Sequence, residues 1–119
     1  MKIIGIVAIL TMFLPVTARA AALLTTGPIQ ASTFICSAIN VGTKPIKSIT
    51  IEIVNSGAGA VLDTTTCSAV APNVECVKGL STATTRAFCR ISSSSTTKNV
   101  RGNLLSVLSG TVKIGRAHV

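Results

Sequence analysis

The side chains here that can do chemistry are few. They are four cysteines, three carboxylates, one histidine, and lysines and arginines scattered singly through the chain. The cysteines, Cys36, Cys67, Cys76 and Cys89, offer two chemistries, metal or redox work and covalent stapling. Zinc sites use close ligand pairs and redox sites a C-x-x-C, and neither spacing occurs. Stapling is therefore expected. Cys67 and Cys76 flank the natural turn Pro72-Asn73 and are expected to pair locally, which leaves Cys36 to pair with Cys89 across the domain. On a chain-entropy estimate the long bridge contributes about 4 kcal/mol and the short one about 3 kcal/mol.

Hydrolytic or transfer chemistry fails on inventory. Serine and threonine are plentiful, but a hydroxyl nucleophile needs a base within hydrogen-bond reach. The only acids are Glu52, Asp63 and Glu75, and the only histidine is His118 at the extreme end. Isolated carboxylates on alternating polar positions read as solvated surface groups, not as a glycosidase pair. There is no Gly-rich phosphate loop and no metal-loop spacing. No enzyme activity, cofactor or metal is expected.

Charge is the next signal. The full sequence of 119 residues carries a formal net charge of +8. Lys2 and Arg19 fall in the leader described below, so nine bases face three acids beyond it, a balance of about +6. Such a surface is drawn to polyanions, and Arg86, Arg90, Lys98 and Arg101 are the candidate anion contacts. The bases are dispersed, however, and form no run, which suits solubility and protection of sheet edges. Stacking on nucleic acid lacks its tools, because Phe34 and Phe88 are the only aromatics after residue 20. Phe88 sits between Arg86 and Arg90, and packing against a sheet is its expected use.

The ends frame the domain. Lys2, the apolar run Ile3 to Val16 and the small-residue site Ala18-Arg19-Ala20 read as a signal peptide over 1–20, cleaved after Ala20. The run is shorter than the roughly 20 residues that cross a bilayer, so no transmembrane segment is expected in the mature chain. An exported, periplasmic or extracellular location follows, where thiols oxidise. The last six residues, Ile114-Gly-Arg-Ala-His-Val119, read as one translation frame of a common sequencing-library adapter followed by a stop. Residues 114–119 are accordingly expected to be a non-native tail, and the natural protein to continue past about Thr111 to Lys113.

Strands must position all of this. In Ile46-Lys-Ser-Ile-Thr-Ile-Glu-Ile-Val54 the residues Ile49, Ile51 and Ile53 alternate with Ser48, Thr50 and Glu52, the pattern of a half-buried strand. Residues 21–32 read as a flexible start leading into an edge strand. Thr33 to Val41 is apolar on both faces, which fits either a central strand covered on both sides or an interface on the leader side. Asn40-Val-Gly-Thr-Lys-Pro45 supplies turn residues tolerant of positive φ, and Ser56-Gly-Ala-Gly59 a hairpin loop. Ala60 to Thr65, Val74 to Lys78, Thr82 to Ser92 and Asn99 to Leu108 read as further strands, with Ser92 to Thr97 an exposed loop. Ser109-Gly110 is a two-residue turn into a last strand. About seven short strands with no helical period after the leader describe an all-β domain, a β-sandwich over 33–113.

From Cys36 to about Ile91 the order strand, Asn40-Val41-Gly42-Thr43, isoleucine-rich strand, small-residue hairpin, Pro72-Asn73, strand resembles the immunoglobulin-like β-sandwich modules of bacterial envelope proteins, short secreted ones included. Those modules often carry an Asn-x-Gly-x turn before an alternating strand and a Pro-Gly turn later. Here Asn73 stands in place of that glycine. The resemblance covers about half the chain, brings no catalytic residues, and implies a binding or structural role outside the cytoplasm. Two functions are thus expected in order. The first is a non-catalytic module that is structural or binds a protein partner through a sheet edge; the second is a basic protein that adheres to anionic envelope surfaces.

Overall fold

β-Branched alternation dominates the chain, and strands are what it forms. The structure, a computed structural model, describes residues 22–119, so the signal-peptide reading of 1–20 lies outside the described residues. Seven strands follow in order: β1 (Ala22–Thr25), β2 (Ile29–Asn40), β3 (Ile46–Asn55), β4 (Val61–Val70), β5 (Glu75–Ser93), β6 (Val100–Leu108) and β7 (Thr111–Arg116). A single 3-10 turn, Thr97–Asn99, leads into β6.

The turns obey local chemistry. Asn55 Oδ1 accepts the backbone N–H groups of Gly57 and Ala58, closing the β3–β4 loop before Gly59 turns with φ of +72°. Between β4 and β5 the N–H of Val74 bonds the carbonyl of Ala71, with Pro72 first and Asn73 second at φ of 66°. That is the residue pattern of a type II turn, and asparagine tolerates the left-handed position the missing glycine would have filled. Ser109 and Gly110 both have positive φ, the signature of a type I′ hairpin turn between β6 and β7.

The strands make one antiparallel sheet in the order β4-β3-β5-β2-β6-β7, with β1 pairing β5 off that path. The sheet is open. This overturns the immunoglobulin-like β-sandwich, and with it the resemblance to immunoglobulin-like envelope modules: among the described residues there is no second sheet. The reason lies in β5. Gly79-Leu-Ser81 reads as a break between two short strands, yet the backbone runs extended through it for 19 residues. Glu75 to Ala87 ladders with β2, while Ala87 to Ser93 ladders with β3 on one side and, from Arg90, with β1 on the other. One uninterrupted strand therefore carries both groups of partners, and hydrogen bonding never splits into two sheets.

Within this sheet β5 changes direction. The β2–β5 register passes from Ala31↔Thr85 to Thr33↔Ser81, so Thr82, Ala83 and Thr84 face Ser32 alone. Extra residues of this kind bend the bulged strand. The consequence is visible in covalent form. Cys36 lies opposite Lys78, eleven positions before Cys89, a span of about 36 Å along a straight strand. Cys36 and Cys89 are nevertheless bonded, with Cα atoms 5.9 Å apart.

The bend lets apolar rows from different strands meet. Phe34, Cys36 and Ala38 of β2, Ile49, Ile51 and Ile53 of β3, Ala87, Cys89 and Ile91 of β5 and Leu104 of β6 are all fully buried in one cluster. Each buried isoleucine contributes about 1.5–3 kcal/mol. β2 is central, flanked by β5 and β6, and only its Phe34 face is buried; Ile35 and Ile39 on the opposite face stay half-exposed.

Candidate functional site

The cysteines are the first group of interest, and the structure bonds all four. Cys36 pairs with Cys89 inside the core, and Cys67 of β4 pairs with Cys76 of β5. No described cysteine is left as a thiol. The two bridges differ in setting. Cys36 and Cys89 are both fully buried, whereas Cys67 is half-exposed.

Two of the three acids are engaged. Glu52 on β3 accepts a hydrogen bond from Arg90 Nε at 2.8 Å, as expected for residues opposite each other in the β3–β5 ladder. That bond raises the guanidinium's affinity for its proton. Asp63 on β4 meets Lys78 Nζ at 3.1 Å, and its other oxygen accepts the N–H of Thr64. The hydrogen bond from Lys78, then that from Thr64, holds the Asp63 carboxyl below the usual aspartate range. Glu75 is exposed at the start of β5. Among the described residues no group of three or more His, Cys, Asp or Glu side chains is placed to hold a metal ion.

The candidate anion contacts do not converge into one site. Lys98 and Arg101 line one shallow cleft of about 330 Å³ with Leu24, Val100 and His118. Arg101 is turned onto the 3-10 turn, its guanidinium donating to the carbonyls of Thr97, Lys98 and Val100 at 3.2–3.4 Å. Arg90 is matched by Glu52 two strands away from β6, and Arg86 is exposed beside the β3–β4 loop, where its carbonyl accepts the Ser56 N–H. Phe88 is half-buried opposite Val54, a packing position. His118 bridges Thr25 through backbone bonds of 2.8 Å in both directions.

What remains as contact surface is the sheet itself. Among the described residues β4 and β7 are its two end strands, each with one row of backbone groups paired to no other strand. The outer face of β2 and its neighbours is also apolar. Ile35 stands opposite Leu105, and Leu105 opposite Ile114, beside a second row of Val107 and Val112.

No protein-family model, curated protein or solved structure matches this chain. The chain is a small, mostly β domain, and its surface is the ground for a functional reading. Among the described residues no helix is long and apolar enough to cross a membrane.

One structural residue escaped the sequence reading. Asn40 is fully buried at the end of β2. Its Nδ2 donates to the carbonyls of Lys44 and Val70 at 2.8 and 2.9 Å, and its Oδ1 accepts the N–H of Gly42. Its own carbonyl accepts the N–H of Asn73. The sequence suggested positive φ for this turn, but neither Asn40 nor Gly42 adopts it. Gly42 is small for another reason: a Cβ there would sit 3.0 Å from Asn99 Oδ1. The signal was the Asn-x-Gly spacing, which specifies an Asx turn as readily as a left-handed one.

Proposed function

We propose that the chain is an exported, non-catalytic binding or structural module that contacts a protein partner through a free edge of its sheet. One observation carries this reading: an open sheet whose end strand β4 offers ten residues of edge, next to a core locked by a buried disulfide. An edge of this kind accepts an extended strand by backbone hydrogen bonding, and side chains on alternate positions select the partner. The expected leader and the oxidised cysteines support an extracytoplasmic setting. Adhesion to anionic surfaces has less behind it, since Glu52 neutralises Arg90 and Arg101 is committed to backbone carbonyls.

The test is retention in salt. The immobilised oxidised chain should hold its partner from the exported fraction at about 0.5 M salt, where the Debye length falls to a few ångströms. A Thr64→Lys, Thr66→Lys variant should release it. Binding only to anionic vesicles, and only at low salt, would replace this reading with the adhesive one.

A further inference from the structure

The free edges differ in what they present. β7 carries Lys113 and, in the stretch expected to be a non-native tail, Arg116, the kind of cationic edge that repels its own copy. β4 carries a single charge, Asp63, already matched by Lys78, and has no lysine, arginine or proline. Its ends are bounded. The register with β3 slips between Ile53 and Val54, at Leu62, and Ala69 has φ of 51°. Between these lies a regular stretch centred on Thr64-Thr65-Thr66, uncharged from Thr64 to Ser68. In a chain whose charge balance beyond the leader is about +6, this is, among the described residues, the end strand on which two copies can meet without opposing cations.

We propose that β4 pairs with β4 of a second copy, antiparallel, about a two-fold axis at Thr65. The proposal deepens the edge-binding reading by naming both the edge and its occupant. The register follows from the pleat. Thr64, Thr66 and Ser68 are exposed on one face, and Asp63, Thr65 and Cys67 are half-buried on the other. A dyad at Thr65 sets Thr64 opposite Thr66 of the second copy, so each face continues across the junction and outward-aimed backbone groups meet their counterparts. Thr66 already shares a 2.9 Å hydroxyl contact with Thr50 of β3, and the junction extends that contact into a threonine row. Exposed Leu62 meets Ser68 of the other copy. Two seven-stranded sheets become one.

Sedimentation equilibrium of the purified, oxidised chain over a wide concentration range tests this. The expected result is a reversible monomer–dimer equilibrium that tightens as salt rises, because like-charged copies screen each other. The Thr64→Lys, Thr66→Lys variant sets lysines directly opposite each other in two pairs and should weaken the dimer about tenfold or more, with both disulfides and the thermal midpoint retained. Should that variant misfold, hydrogen exchange on the unaltered chain decides. Amides from Thr64 to Ser68 should slow with concentration while those of β7 do not change. A monomer at every concentration, or a dimer indifferent to both lysines with no slowing in β4, overturns the proposal. A monomer that still captures a foreign partner in salt leaves the edge-binding reading standing without self-pairing.

Discussion

Asn40 is an example of how much a single amide can hold. Its side chain satisfies carbonyls from the β2–β3 loop and from the end of β4, and the adjacent carbonyl fastens the β4–β5 turn. Removing it orphans buried groups at one point, each costing about 1–3 kcal/mol. Asn40→Ala should therefore lower unfolding free energy by roughly 2–4 kcal/mol in denaturant titrations. Asn40→Asp should cost at least as much, because it deletes both donors and adds a buried charge. A loss under about 0.5 kcal/mol would mean that water takes over the bonds. Asp63 acts more weakly and through pH. Its carboxyl is held below the usual value of 3.8 by Lys78 and then Thr64, so its contribution is present above that value and lost as pH falls through the depressed one. Thermal midpoints of the native chain and Asp63→Asn should differ at neutral pH and converge once the pH has fallen through the depressed value; a gap that persists in acid would assign the effect to packing.

At the scale of elements, β5 is the member on which the others depend. Its outward bulge at Thr82 to Thr84 redirects the strand, and its C-terminal half then packs Ile91 against β6. The fit there is close. A Cβ on Gly102 would collide with Ile91 Cδ1 and come within 3.0 Å of Ala117 Cβ. Gly102→Ala is expected to destabilise by about 1–3 kcal/mol through overpacking. Adding Ile91→Val removes the colliding methyl and should recover part of that loss, so a double-mutant cycle should show coupling. Purely additive effects would refute this contact as the cause. Gly102 sits inside a strand and resembles any weak strand position in sequence, since the atom it makes room for belongs to a residue eleven positions earlier in another strand.

For the whole molecule, the two disulfides divide the labour. The Cys36–Cys89 bridge spans 53 positions and sits in the core, while Cys67–Cys76 spans nine and ties end strand β4 to β5. Mild reductant should open Cys67–Cys76 first, because Cys67 is half-exposed and both Cys36 and Cys89 are buried. Alkylation mapping should show this order with β-structure retained after the first step. Losing Cys36–Cys89 by paired alanine substitution should cost about 4 kcal/mol, against about 3 kcal/mol for the shorter bridge. Equal reactivity of the two bridges would show that burial does not govern access.

The amino-acid sequence alone marked where several strands and turns lie, because period-two alternation, β-branching and turn residues act over a few neighbours. The Ile46 to Asn55 strand, the Gly59 loop and the Ser109-Gly110 turn were all legible for that reason. It also exposed the poverty of reactive groups and the basic balance. Tertiary structure decided the rest. Whether Gly79 ends a strand or lies within one depends on β2 continuing to bond past it, and that pairing between distant segments turned two short strands into a single β5 and two sheets into one open sheet. The same holds for the candidate surface. Arg86, Arg90, Lys98 and Arg101 look alike as letters, and only their placement separates a base matched by Glu52 from one folded onto carbonyls. Non-local contacts leave no local trace, which is why the free edge of β4 became visible only once every other strand had found its neighbours.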